Sequence, residues 1–145
     1  MGDILFETAY LPEHRDSPII PASGEELAAV IDQMKANGRT DCNYLTIFAI
    51  DTDRSHIAHI GVGVDVGNDV GSIYFVGAEG AFFSKGRQVS REPLVYFEFG
   101  NPRFFAPDSG IGLSDLKIAL TRLYQGGGVK PGNVEWQDWF DAEPE

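Results

Sequence analysis

The chain has 145 residues and a formal charge of −11, because 22 Asp and Glu outnumber 11 Lys and Arg. This acidity argues against direct binding to DNA or RNA, whose phosphates require a basic surface, and against docking on an anionic membrane. An acidic surface instead suits a basic protein partner, because opposite charges speed the encounter. The single cysteine, Cys42, excludes an intramolecular disulfide and a cysteine-based zinc site.

The N-terminal residues contain no basic stretch followed by an apolar one, so a signal peptide is not expected. No apolar run approaches the roughly 20 residues that cross a bilayer. A reducing, cytoplasmic location is the expectation. We expect one domain, with an irregular N-terminal segment 1–22 that has room for a short strand around Ile4–Tyr10, a core 23–136 and an acidic tail 137–145.

The first helix is predicted to begin after Ser23. A serine followed three residues later by Glu26 is the pattern of a capping box. An apolar stripe at helical spacing follows it: Leu27, Val30, Ile31 and Met34. Asn37 and Gly38 supply a left-handed stop, so the helix is expected to end there.

A meander of strands and a second helix are predicted after the first helix. Apolar and β-branched runs, separated by polar turns, predict strands at 43–50, 55–64, 71–76, 81–84, 94–99, 103–105 and 134–136. Apolar residues at helical spacing predict a helix over 114–125: Leu116, Ala119, Leu120, Leu123 and Tyr124. The predicted fold is α+β, a mostly antiparallel sheet with two helices packed on one face.

The signatures of enzymes and metal sites are incomplete. The glycine-rich run 61–67 is not GxGxxG and no helix follows it, so its glycines favour close approach of a backbone or an aromatic ring. Segment 51–62 begins like a calcium loop but has His56 and Val62 where glycine and glutamate are required. His56 and His59 are expected on opposite faces of a strand. No catalytic residue, metal ion or cofactor is therefore expected.

Adjacent aromatic residues are the remaining unusual feature: Phe82-Phe83, Phe104-Phe105 and Trp139-Phe140. On a strand, one member of each pair faces away from the core, and aromatic residues carry much of the binding energy at protein interfaces. For Phe104-Phe105, filling the second face of the sheet is favoured. For Trp139-Phe140, interface and packing both remain open.

The order and spacing of several motifs between residues 23 and 136 resemble the Imm1 family of bacterial immunity proteins. The motifs are S-x-E-E-L from Ser23, G-V-G from Gly61, GAEGAFFSKG at 77–86, YFEFG at 96–100, and a helix at 111–124 followed by Gly128, Lys130-Pro131 and V-x-W at 134–136. Gly112 stands where the family often has a helix-start proline.

The resemblance implies a small cytoplasmic antitoxin that is made beside a polymorphic toxin. It would neutralise this cognate toxin by tight binding that blocks the active site or substrate cleft, without catalysis of its own. Toxins paired with the family are often nucleic-acid deaminases or nucleases, and an acidic inhibitor suits their basic clefts. A monomer in a 1:1 complex is expected. The alternatives are a small-molecule-binding domain or enzyme that uses the open sheet face, and a subunit of a larger assembly.

The toxin-binding residues are expected on the turns and the tail, because functional contacts concentrate on loops that a sheet holds in place. They are Asp65, Asp69, Glu79, Phe83, Asp138 and Trp139. The carboxylates would raise the association rate, and the two aromatic residues would be exposed anchors that lose their contact with water when the toxin binds. The competing interpretation is that these acids are solvated turn residues.

Overall fold

The structure is a computed structural model that describes residues 4–86 and 92–138. Within these residues, two helices and nine strands follow one another, with a short 3-10 turn at Pro12–Arg15. In chain order they are β1 (Leu5–Ala9), α1 (Gly24–Asn37), β2 (Tyr44–Ile50), β3 (His56–Asp65), β4 (Val70–Gly77), β5 (Gly80–Lys85), β6 (Leu94–Glu98), β7 (Asn101–Phe105), β8 (Ile111–Gly112), α2 (Leu113–Gln125) and β9 (Glu135–Asp138).

The main sheet contains seven strands. Six of them lie in the order β1-β2-β3-β4-β5-β9, and the two-residue β8 pairs with the first residues of β4. β6 and β7 form a separate hairpin. The pairings between these strands are antiparallel, which confirms the predicted α+β class. β8 was not predicted, because two residues carry no periodicity.

Both helices begin and end close to their predicted positions. The Ser23 hydroxyl accepts a hydrogen bond from the Glu26 amide at 3.1 Å, and the Glu26 carboxylate accepts one from the Ala22 amide at 3.2 Å. Gly38 ends α1 with φ +61°, a conformation in which glycine has no Cβ strain. Helix α2 has Gly112 at its N-cap and no side-chain cap. Among the described residues, no helix is long and apolar enough to span a membrane.

The larger core lies between the helices and one face of the sheet. Leu116, Leu120 and Leu123 of α2 are at most 1% exposed, and they share this core with Leu27 and Ile31 of α1. The sheet contributes the alternate residues of its central strands: Leu45, Ile47, Ala49, Ala58, Ile60, Val62, Val64, Ile73 and Phe75. Both helices therefore pack on the same face, as predicted.

The β6–β7 hairpin packs on the opposite face of the sheet and forms a second, smaller core there. Tyr96 and Phe105 of the hairpin are buried against Tyr44 and Phe83 of the sheet. Residues 94–99 and 103–105 were correctly predicted as strands, but they form this cover instead of joining the main sheet. The hairpin turns at Phe99 and Gly100, whose φ values of +51° and +82° match a type I′ turn.

A β-bulge interrupts the pairing of β2 with β3. Ala49 lies opposite Ala58, and Ile50 lies opposite His56, so Ile57 is the extra residue of β3. A bulge of this kind breaks the alternation of side chains between the two faces of a sheet. It changes which face His56 reaches.

Candidate functional site

A groove lies on the face of the sheet opposite the helices, between the sheet and the hairpin. Its volume is about 550 Å³. Residues of β2, β3, β4, β5 and the hairpin line it: Tyr44, Thr46, Phe48, His59, Tyr74, Phe83, Glu98, Pro102, Arg103, Phe104 and Phe105. We call it the aromatic groove, because six of these residues carry phenyl or phenol rings.

Two glycines of β3 shape the floor of the aromatic groove. A Cβ at Gly61 would overlap the Tyr44 hydroxyl group, and a Cβ at Gly63 would overlap the Tyr96 ring. The prediction that these glycines admit an aromatic ring is confirmed. The Tyr96 hydroxyl pairs with the buried Ser72 hydroxyl at 3.0 Å, which fixes the hairpin to the sheet.

Both histidines of β3 contact Phe48, contrary to the expectation that they point to opposite faces. The His59 and His56 ring centroids lie 4.8 Å and 5.0 Å from that of Phe48. The bulge at Ile57 is the reason, because the extra residue places His56 on the same face of the sheet as His59. Burial lowers the pKa of His59; the nearby Glu98 raises it, while Arg103 and His56 lower it.

Glu98 is the carboxylate on the wall of the aromatic groove. It accepts a hydrogen bond from the Thr46 hydroxyl at 2.9 Å and pairs with the Arg103 guanidinium. The Arg103 guanidinium carbon lies 5.9 Å from the Tyr44 ring centroid. Burial, reinforced by Glu98, raises the pKa of Tyr44 to about 12, so its phenol stays protonated at physiological pH.

Ring contacts run across the whole floor of the groove. The Tyr74 ring contacts both His59 and Phe83, and its centroid lies 6.5 Å from that of His59 and 5.3 Å from that of Phe83. Phe83 in turn contacts Phe105 at 5.5 Å, and Phe105 contacts Tyr96 at 5.1 Å. Because each ring is held by the next, the surface that these rings offer is set in place by the fold.

Phe104 stands on the rim of the groove and is 65% exposed, whereas Phe105 is 3% exposed. Filling the second face of the sheet was favoured for this pair, and it holds for Phe105 alone. Asn43 holds the strand beside them: its amide donates to the Phe97 carbonyl at 3.1 Å, and its side-chain oxygen accepts from the Phe97 amide at 2.7 Å. Phe104 is thus a solvent-exposed ring on a hairpin that is firmly attached to the sheet.

Asp65 and Asp69 lie on the turn between β3 and β4. The Asp65 carboxylate accepts hydrogen bonds from the Gly67 amide at 3.2 Å and the Asn68 side chain at 3.0 Å, so it shapes the turn. Asp69 is exposed and forms an ion pair with Lys35 of α1. Lys35 lowers the pKa of the Asp69 carboxyl by hydrogen bonding and by its charge.

Glu79 and Asp138 lie at the other end of the sheet. Glu79 follows β4, whose eight residues span roughly 25 Å at about 3.3 Å each, so it is far from Asp69. Asp138 pairs with Phe82, close to the Glu79 turn. The two predicted turns are consecutive in the meander and therefore emerge at opposite ends. Trp139 lies outside the described residues.

Phe83 does not have the exposure expected of an interface anchor. It lies inside β5, is 6% exposed and packs in the smaller core. Its neighbour Phe82 faces the helices, with the Lys130 ammonium 3.5 Å from its ring centroid. Both members of the pair are covered because the sheet has a packed layer on each face.

Of the residues that line the aromatic groove, only Phe83 was among the predicted site residues; Phe48, His59, Tyr74 and Glu98 are among those that sequence reasoning missed. The sequence does contain a signal for these residues. On each strand, the alternate positions that face away from the helices carry aromatic as well as polar residues, whereas a solvated face would carry only polar ones. Within the described residues, no three His, Cys, Asp or Glu side chains are grouped to hold a metal ion. Cys42 is buried.

The comparisons with known proteins agree with the motifs. The family model described as immunity protein Imm1 matches residues 15–138, a span that includes both helices, the hairpin and the aromatic groove. Among the curated proteins, none matches the sequence. The resemblance that was inferred from the motifs is confirmed, and the chain belongs to the Imm1 family of immunity proteins.

Proposed function

We propose that this protein neutralises a cognate toxin by binding to it. The observation that carries the proposal is the match to the immunity protein family over residues 15–138. The proposed activity is binding without catalysis, in a 1:1 complex that blocks the active site or the substrate cleft of the toxin. It takes place in the cytoplasm, where the toxin would otherwise act.

The proposed toxin acts on nucleic acid, as a deaminase or a nuclease. Such an enzyme needs a basic surface for phosphates, and the charge of −11 on this chain complements that surface. Carboxylates would then occupy positions that phosphates take in the substrate complex. The charge supports a basic partner and does not distinguish a deaminase from a nuclease.

Carboxylates at both ends of the sheet, which are exposed except for the partly buried Asp65, would guide the encounter. Asp65 and Asp69 serve at one end, with Glu79 and Asp138 at the other. Such steering needs no direct contact, since charges act over a Debye length of about 8 Å at physiological salt. In this proposal, these four carboxylates, which were predicted from the sequence, raise the rate of association. Trp139 follows Asp138 directly in the sequence.

The test is co-expression with the toxin domain encoded by the adjacent gene. Cells that carry the toxin domain alone should die, cells that also carry this protein should survive, and the two chains should co-purify. An equally expressed variant with Leu116, Leu120 and Leu123 all replaced by alanine is the unfolded control. Failure of the intact protein both to protect and to co-purify would overturn the proposal.

A further inference from the structure

We propose that the aromatic groove is the surface that holds the toxin, and that its occupant is a basic segment of the toxin with a lysine or arginine side chain against the rings. This inference rests on the proposed function. It places the tight contacts on the sheet face beneath the hairpin, and leaves the turn carboxylates to guide the encounter.

The first argument is the shape and chemistry of the groove. It is concave, has a volume of about 550 Å³, and presents the partly exposed rings of Phe48, His59 and Tyr74 beside the exposed ring of Phe104. A cation is attracted to the face of an aromatic ring, and more strongly where water is displaced. Ring faces around a concave surface are therefore suited to a cationic side chain.

The second argument is charge complementarity. Glu98 lies on the groove wall, and Glu7 lies directly opposite Phe48 in register, so it shares the groove face. Arg103 also lines the groove, and its guanidinium is already paired with Glu98. The Glu98–Arg103 pair is neutral as a unit, so Glu7 leaves these three groups with a net charge of −1, which favours a cationic side chain.

One end of the groove also opens toward an acidic end of the sheet, which consists of Asp51, Asp53, Glu79 and Asp138. The Phe48–His59 pair lies next to it, because His59 pairs with Val76 near the end of β4. Arg54 and Lys130 lie at the same end, and the Lys130 ammonium is 3.5 Å from Glu79. A basic segment lying along the groove would extend toward these carboxylates.

The third argument is rigidity. The hairpin that carries Phe104 is held at β6 by the Asn43–Phe97 hydrogen bonds and at β7 by the burial of Phe105. An exposed ring on a fixed support loses little conformational entropy when a partner covers it, which is a property of binding hot spots.

The groove between the two helices provides the comparison. It has a volume of about 410 Å³ and contains no aromatic ring. Its lining is Glu25, Ala28, Ala29, Asp32, Lys117, Ile118, Thr121, Arg122 and Gln125, with two acids and two bases. Ile118 is 45% exposed there, so it is the matched control for Phe104 on the opposite face.

The test measures binding kinetics with a catalytically inactive form of the adjacent gene's toxin domain. Phe104→Ala should weaken binding about tenfold or more, mainly through faster dissociation. Ile118→Ala should stay within about twofold of the original protein. Tyr74→Leu keeps apolar volume but removes the ring and should weaken binding, whereas Tyr74→Phe keeps the ring and should not.

The outcomes separate this inference from the proposed function. If the original protein protects cells and binds the toxin domain, but Phe104→Ala and Tyr74→Leu both bind within about twofold of it, the groove assignment is overturned while the proposed function stands. Thermal unfolding confirms that each variant is folded.

A photo-crosslinking residue at position 104, with position 118 as the control, tests the chemistry of the occupant. Position 104 should crosslink to a toxin segment that contains lysine or arginine. A crosslinked segment without either, or crosslinking only between copies of this chain, would overturn the proposed occupant.

Discussion

His59 stacks on Phe48, with ring centroids 4.8 Å apart and ring planes inclined by 19°. The contact removes the imidazole from water, and burial therefore lowers its pKa in the folded protein. Tyr74, Glu98, Arg103 and His56 are its other neighbours, and Glu98 partly opposes the shift. The stacked pair thus makes folding sensitive to pH.

Stability should fall as pH decreases through about 6.5, the pKa of an unfolded histidine. Between that value and the lower folded pKa, the unfolded chain binds more protons, so stability rises with pH across this window. Urea unfolding midpoints of the original protein should drop more from about pH 7.5 to about pH 5.5 than those of His59→Gln. His14, whose pKa burial also lowers, is present in both and cancels. Equal drops would contradict the prediction.

Gly63→Ala should destabilise the fold by about 1–3 kcal/mol, because the new methyl group would enter the space of the Tyr96 ring. Displacing that ring also strains its hydrogen bond to Ser72. Gly132→Ala is the control, since no heavy atom lies within 4 Å of its added Cβ. Chemical denaturation should show a loss for the first variant and none for the second.

Leu120→Ala should cost about 2–5 kcal/mol, since the side chain is 1% exposed and its removal leaves a cavity between α2 and the sheet. Leu116 and Leu123 should behave alike. Ile118→Ala on the same helix should change stability by less than about 0.5 kcal/mol. A loss below about 1 kcal/mol at Leu120 would show that the helix is not packed as described.

Ser23→Ala should lower stability by about 1 kcal/mol, because the Glu26 amide loses its acceptor at the first turn of α1. Ser114→Ala is the matched control, since α2 has no side-chain cap. Thermal unfolding of both variants measures the difference. Equal effects would mean that the cap contributes nothing.

Asp138→Lys should slow association with the toxin domain more than Asp69→Lys at low salt. Both carboxylates are exposed, but only Asp138 lies at the end of the sheet next to the Phe48–His59 pair. The difference should shrink as salt rises, since screening weakens steering. Stopped-flow mixing at two ionic strengths measures it, and equal rates at low salt would contradict the arrangement.

The helices could be predicted closely because their signals are local. Ser23, Glu26 and Gly38 mark α1 by chemistry that acts within a single turn. The strands of the meander were also found, because apolar and β-branched runs between polar turns are local signals, but the two-residue β8 was missed. The position of the β6–β7 hairpin could not be predicted, because it depends on contacts between residues that are distant in sequence, such as Tyr96 and Gly63.

The candidate site was predicted less well, for reasons that individual residues illustrate. Phe83 was taken as an exposed anchor because a two-layer fold was assumed, and the hairpin adds a third layer over it. His56 was assigned to the wrong face because a bulge at Ile57 has no sequence signal of its own. Asp69 and Glu79 were grouped although consecutive turns of a meander alternate between ends.

The two faces of the sheet are under different selective constraints. The larger core under the helices contains none of Phe48, His59, Tyr74 and Phe104, which are partly or fully exposed on the opposite face. Substituting any of these four leaves the helix-side core intact. Under the proposed groove assignment, a lineage exchanges groove residues to follow a changing toxin while the helix-side scaffold stays the same, so new specificities arise without a loss of folding.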